Sequence, residues 1–320
     1  MKQVVYREWT GVASQSVSLI DADEPRCTET GVVIELRARP INPADLLLIH
    51  GRHLAKPAPG GVLGIEGAGV VVEAGARATL SVGARVAIPF RGTWQERMAL
   101  QGQDVIPLPD DVDLEQAAMF SVNPFSALGL LEGISPGTSV VINAANSALG
   151  KLVIALAARR GIHALALVRR SSSIDALRAL GAKEVLLESE SSAERIRQLA
   201  PTPLMRAFDA LAGAASAKLF DSLSDGGELI VYGLLASDEV QLPASSLVFR
   251  DIRVRGFSRL RFFAALSEEG RQRISEELVA ALGVGLLDTA IEARYTLDEV
   301  QQAIEHHERA ERQGKILLVS

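Results

Sequence analysis

Cysteine is almost missing from this 320-residue chain, and Cys27 stands alone. No intrachain disulfide is possible and no thiolate zinc cluster can form, which fits a reducing compartment. Long hydrophobic runs are missing as well. No stretch approaches 18 uncharged apolar residues, and the opening MKQVVYREWT lacks the apolar core of a signal peptide. A soluble, cytoplasmic protein without a membrane partner is expected. There is no surplus of basic residues either: 33 Lys and Arg face 39 Asp and Glu, for a net charge of −6. A nucleic-acid partner would need a basic face, so that class is set aside. Internal repeats and low-complexity segments are also lacking.

What remains is apolar material in quantity. Hydrophobic residues make up 48% of the chain and charged residues 22%, enough for two globular domains. Up to about residue 119 the pattern is β-rich, with apolar runs at 31–36, 67–72 and 82–88 between Gly, Pro and Asp turns. From Leu114 helices and strands alternate. Helices are expected at 114–132, 147–160 and 173–180, and strands at 139–143, 163–168, 184–187, 207–211, 228–232 and 252–257. Six strands with intervening helices are the pattern of a doubly wound parallel sheet. A single helix over 262–282 comes next, then a strand at 290–295, a helix from 297 to about 311 and a last strand at 315–319. This tail is expected to return to the N-terminal domain. The division is therefore 1–119 with 262–320 against 120–261.

The most informative stretch is SVVINAANSALG, Ser139 to Gly150. An apolar strand runs into a turn of small residues, and Gly150 opens an apolar helix. Backbone N–H groups at such a helix start, together with the helix dipole, form an anion site suited to a dinucleotide pyrophosphate. The turn departs from G-x-G-x-x-G. Only the glycine needed for close helix–strand packing is kept, with Ala145 and Ala148 at the other places. The second strand ends in Arg169-Arg170-Ser171. A carboxylate there suits the ribose hydroxyls of NAD, whereas arginine suits the 2′-phosphate of NADP. A solvated charge at a strand end is the alternative, and the location favours NADPH.

Several segments together resemble a medium-chain dehydrogenase/reductase of the zinc-independent branch. They are INPAD (41–45), GIEGAGV (64–70), VGARV (82–86), GTW (92–94), SVNP (121–124) and LGA (180–182). Within that branch GTWQE, SVNPFSA and NAANSALG are similar to 2-enoyl thioester reductases of the mitochondrial type, beside quinone oxidoreductases. The resemblance implies an α/β fold, a Rossmann domain plus a β-rich GroES-like catalytic domain. Zinc-dependent relatives carry a histidine beside the glutamate of the second segment, where this chain has Ile65 before Glu66. They also carry cysteines that Cys27 cannot replace, so no metal is expected.

Carried over by position, the resemblance implies a set of NADPH-binding residues. Asn123 would lie near the nicotinamide, and Asn146, Ser147, Ala148 and Leu149 would form the pyrophosphate turn. Arg169, Arg170 and Ser171 would meet the 2′-phosphate, although the family pattern there is Arg-Asp-Arg. Tyr232, Gly233, Leu234 and Leu235 would cover the cofactor, and Phe257, Ser258, Arg259 and Lys315 would complete the set. Tyr232 and Phe257 suit plain core packing equally well, and Lys315 suits a solvated strand start. Asn42 and Trp94 are expected at the substrate cleft, Trp94 having ordinary core packing as its alternative.

The family's tyrosine, a few residues after Asn-Pro-Ala-Asp, is replaced here by His53. Imidazolium is a competent acid near neutral pH, so His53 is the candidate proton donor. It is equally readable as a loop residue without a role, and His50 is a weaker candidate. Arg52 and Arg91 stand in loops that could meet an acidic acyl carrier.

Three functions stay open. The first is NADPH-dependent reduction of an activated C=C in an α,β-unsaturated carbonyl or enoyl thioester. The second is NADPH:quinone reduction, and the third is NADPH binding without catalysis. The strand at 252–257 is expected to pair across a two-fold axis and give a homodimer.

Overall fold

The computed structural model describes residues 1–53, 56–89, 92–189, 192–309 and 312–320. The chain divides into two compact units, Met1–Val122 with Ser275–Ser320, and Asn123–Ile274.

In the first unit β1 (Lys2–Tyr6) and β2 (Val17–Asp21) pair antiparallel. β3 (Gly31–Pro40) leads into α1 (Pro43–Ile49), followed by β4 (Gly67–Ala74), β5 (Arg85–Ile88), β6 (Arg97–Gln101), β7 (Ile106–Pro107) and α2 (Leu114–Ala117). Strand β3 puts Val32, Ile34, Leu36 and Ala38 on one face; on the other only Glu35 and Arg37 reach solvent, and Val33 and Arg39 are buried. Val32, Ile34 and Leu36 have no exposed surface and pack with Val71, Val86 and Ile88. Each such side chain contributes roughly 1.5–3 kcal/mol by leaving water.

The second unit begins with α3 (Asn123–Leu131) and β8 (Ser139–Ile142), then α4 (Ala148–Arg159) and β9 (His163–Val168). It continues with α5 (Ile174–Ala179), β10 (Glu184–Leu187), α6 (Ala193–Leu199), β11 (Leu204–Asp209) and α7 (Ala214–Ser222). β12 (Glu228–Val231), α8 (Ala244–Arg250), β13 (Arg253–Gly256) and α9 (Arg259–Ala265) follow. Its parallel sheet has the order β10-β9-β8-β11-β12-β13. The order reverses between β8 and β11, which is where an open α/β sheet leaves its ligand crevice.

After α10 (Glu268–Gly283) the chain completes the first unit with β14 (Ile291–Tyr295), α11 (Val300–Glu308) and β15 (Lys315–Val319). β15 pairs antiparallel with β3, and β14 lies beside β15, in the sheet β14-β15-β3-β4-β5-β7 with β6 against β3. The tail therefore returns to the N-terminal sheet.

Three expected elements differ. The helix over 114–132 is broken into α2 and α3. Pro124 has no N–H to give, and the N–H groups of Ser121 and Val122 are drawn to the Glu66 carboxylate instead of to helical carbonyls. The helix over 262–282 is two helices, because Ser267 caps the second by accepting from Gly270 N at 3.1 Å. The first, α9, packs on α3 through Phe125 and Phe263, whose rings meet edge-on at 5.4 Å. The second division falls after Ile274 and not after residue 261. The fourth strand of the parallel sheet runs 204–209 and not 207–211, because Asp209 turns its side chain back on the loop that follows.

Candidate active site

The turn after β8 has the shape its small residues suggested. Ala144 sits at φ +45° and Ala145 is fully buried. Ser147 caps α4, its Oγ accepting from Gly150 N at 3.1 Å. A Cβ on Gly150 would lie 2.5 Å from the Ala145 carbonyl oxygen, so only glycine lets the helix start this close to the turn. Ala148 and Leu149 occupy the first turn of α4, where backbone N–H groups lack helical acceptors, and Asn146 is exposed above them. Arg169, Arg170 and Ser171, directly after β9, are all exposed. A phosphate-bearing ligand fits this cradle.

Two residues missed by the sequence reading organise the neighbouring strand end. Asp209 and Asn143 are buried at the ends of β11 and β8. Asn143 Nδ2 donates to Asp209 Oδ1 at 2.6 Å, while Asn143 Oδ1 accepts from Ala210 N at 2.8 Å. Asp209 also takes the N–H groups of Leu211 and Ala212 and the hydroxyl of Ser216. The available signal was a polar residue ending each of two apolar strands. The Asp209 carbonyl in turn receives the N–H of Tyr232 at 2.9 Å and of Gly233 at 3.3 Å.

Tyr232 is half-buried, and its hydroxyl is out of solvent with no hydrogen-bond partner among the described residues. Burial, aided by Asp209, pushes its ionisation well above the ordinary tyrosine range. Gly233 is needed for close approach, since a Cβ there would lie 2.6 Å from the Ala210 carbonyl oxygen. Leu234 is half-buried and Leu235 exposed. Phe257 is half-buried against Phe262 and over Gly129, Ser258 is exposed and Arg259 half-buried. The unit thus gathers 143–149, 169–171, 209–212, 232–235 and 257–259 behind the carboxyl ends of its parallel strands. Asn123 opens α3 of the same unit and is half-buried.

The first unit treats its predicted residues differently. Trp94 is fully buried in a cluster with Val4, Leu63 and Ile316, its indole N–H directed at the Pro40 carbonyl, so it packs as a core residue. Asn42, 2% exposed, is the N-cap of α1 in a reciprocal capping box with Asp45. Its amide is spent internally: Nδ2 donates to Glu66 Oε1 at 2.9 Å, and Oδ1 accepts from Lys315 Nζ. Lys315 is therefore no solvated strand start. It is 4% exposed, and burial pushes its ammonium down to about 8 despite Glu66. His53 is half-buried just past α1, its N–H bonded to the Leu47 carbonyl at 3.0 Å. His50 lies edge-on to Trp9 at 4.8 Å and 3.6 Å from Glu308. Arg52 is exposed, and Arg91 lies outside the described residues.

Comparison with known proteins follows the same division. Residues 28–110 match the alcohol dehydrogenase GroES-like domain and residues 148–278 the zinc-binding dehydrogenase domain. The chain is 30% identical over 301 residues to the mitochondrial enoyl-[acyl-carrier-protein] reductase of Dictyostelium discoideum, covering 90% of this chain and 85% of that one. Its counterpart from Caenorhabditis elegans is 33% identical over 298 residues, covering 89% and 85%. The chain belongs to the medium-chain dehydrogenase/reductase family. As a medium-chain dehydrogenase/reductase it shares its fold with two solved structures. The quinone oxidoreductase of Escherichia coli complexed with NADPH has a TM-score of 0.89 at 20% identity, covering 100% of both chains. The mitochondrial 2-enoyl thioester reductase heterodimer of Candida tropicalis has a TM-score of 0.88 at 20% identity, covering 100% of this chain and 99% of that one.

Among the described residues no three His, Cys, Asp or Glu side chains are grouped to hold a metal ion. The residue beside Glu66 is the buried, donorless Ile65.

Proposed function

We propose that this protein is an NADPH-dependent, zinc-independent reductase that delivers hydride to the activated C=C of an α,β-unsaturated carbonyl or enoyl thioester. The observation that carries this reading is the phosphate cradle of Gly150 and Ser147, followed by the exposed Arg169-Arg170 pair. The relatives named as enoyl-[acyl-carrier-protein] reductases support the acceptor class. Bound NADPH supplies the hydride. The first turn of α4 would hold the pyrophosphate, the arginines would meet the 2′-phosphate, and the Tyr232 hydroxyl is a buried donor available to a polar group. The set at 232–235 and 257–259 would line the cofactor's nicotinamide end. Once hydride has reached the β-carbon, the α-carbon needs a proton, and His53 is the donor we assign.

Quinone reduction is the second reading, supported by the fold shared with quinone oxidoreductases. It makes little demand on His53. NADPH binding without turnover is the third. Oxidation of NADPH followed at 340 nm with crotonyl-CoA and with 1,4-benzoquinone separates them, using wild type and His53→Ala. The first reading expects crotonyl-CoA turnover, slowed at least tenfold by the substitution, about 1.4 kcal/mol of barrier. Quinone turnover alone, unaffected by the substitution, supports the second, and NADPH binding with neither turnover the third.

Two further features belong to the proposal. A homodimer is supported by the exposed edge strand β13 and by Val248 and Phe249 on α8, which are 71% and 83% exposed. A cytoplasmic, reducing location is supported by the single thiol, and no helix among the described residues is long and apolar enough to cross a membrane.

A further inference from the structure

Four buried side chains of the first unit form a polar chain that cofactor binding alone does not explain. Lys315 donates to Asn42, Asn42 donates to Glu66 Oε1 at 2.9 Å, and Glu66 Oε2 accepts three bonds from one short segment. Those three are Ser121 N at 3.1 Å, Ser121 Oγ at 3.0 Å and Val122 N at 2.8 Å. Lys315, Asn42, Glu66 and Ser121 are all 4% exposed or less. The backbone of Glu66 is fixed as well, its carbonyl accepting from Thr93 Oγ1 at 2.7 Å. Apolar side chains of similar volume would hold such a core as firmly as buried charges do. The polar set therefore has its use in direction.

That direction is single-valued. An ammonium can only donate and a carboxylate can only accept, so the amide between them has one orientation. The chain ends on the N–H groups of residues 121 and 122, and the next residue is Asn123.

We propose that Glu66 and Asn42 are positioning residues for the reduction. By clamping Ser121 and Val122 they fix where α3 begins, and with it Asn123, while Lys315 sets the polarity of the clamp. The inference rests on the reading of Asn123 as a nicotinamide-side residue.

The test moves the negative charge one step along the chain. Glu66→Gln leaves two amide NH2 groups face to face, and Asn42→Asp sets two carboxylates against each other. In the double variant every donor again meets an acceptor at unchanged net charge. Asp at 42 takes Lys315, the capping N–H and the Gln amide, and the Gln oxygen keeps Ser121 and Val122. For each protein the Kd for NADPH, kcat at saturating NADPH, the KM for NADPH and Tm are measured.

Each single variant is expected to lose at least tenfold in kcat/KM for NADPH. The double variant is expected to return to within threefold of wild type. If the network is only structural, Tm falls in the single variants while Kd and kcat of the folded protein stay at wild-type values, and the proposal is overturned. A double variant as impaired as the singles overturns it too. If neither single variant folds, Ser121→Ala decides, with a loss of at least threefold in kcat/KM expected and a wild-type value overturning it. Asn123→Ala is assayed alongside. When it weakens NADPH binding but the network variants do not, the positioning inference alone fails. If it changes neither binding nor turnover, the cofactor reading of Asn123 fails, and this inference with it.

Discussion

Asn143 and Asp209, 66 residues apart in the chain, meet at 2.6 Å at the ends of adjacent parallel strands. The bond joins β8 to β11 where the strand order reverses. It also braces the loop after β11, in which Ala212 and Gly213 take positive φ of 62° and 64°. A non-glycine residue in that region is strained and needs support from its surroundings, here the two N–H groups that Asp209 receives at 2.9 and 3.0 Å.

Asp209→Ala is expected to destabilise the protein by roughly 3 kcal/mol or more, since several buried donors lose their acceptor at once. Urea unfolding monitored by circular dichroism gives the value. A midpoint within error of wild type would show that the loop is held by other contacts.

Gly150→Ala places a methyl group 2.5 Å from the Ala145 carbonyl oxygen, so α4 must withdraw from the turn. NADPH affinity is expected to fall at least tenfold, about 1.4 kcal/mol, with the far-UV spectrum unchanged. Titration of nucleotide fluorescence measures it, and an unaltered Kd would place the pyrophosphate elsewhere.

His307 on α11 is buried, and burial together with Arg312 and Lys315 pushes its imidazole down to about 2 from 6.5. The folded state keeps this histidine neutral while the unfolded chain takes up a proton below pH 6.5. Its contribution to stability is complete above pH 6.5 and is lost as pH falls from there towards 2, by at most about 1.4 kcal/mol per pH unit. Replacing it, His307→Gln, should flatten the stability profile between pH 6.5 and 4 in parallel denaturation series. An equal slope in both proteins would assign the acid sensitivity to other groups.

Phe249 and Val248 leave an apolar surface on α8, in the unit whose edge strand is β13. In sedimentation equilibrium we expect wild type near twice the chain mass of 34.1 kDa, and Phe249→Glu shifted towards the monomer. A wild-type monomer at micromolar concentration would remove the dimer from the proposal.

Much of the second unit could be read from residue order alone. Short apolar runs alternating with helical segments can bury themselves only in a parallel sheet covered on both faces, so the strand at 139 and the turn to Gly150 were visible as local patterns. The same local reading carried 114–132 and 262–282 through as single helices. It had no means of knowing that Glu66, far away in sequence, takes the N–H groups of Ser121 and Val122. The serine cap at Ser267, by contrast, is a local signal.

The order of elements, the small-residue turn before α4, the arginine pair after β9 and the lack of thiol ligands are all legible in residue order, because each is a property of neighbours in the chain. The burial of Trp94 in the core, the place of Asn42 as a cap held between Lys315 and Glu66, and the bond by which Asp209 joins two strand ends emerge only in the folded chain. Those roles depend on which distant groups exclude water from one another and share hydrogen bonds, and spacing along the chain does not encode that.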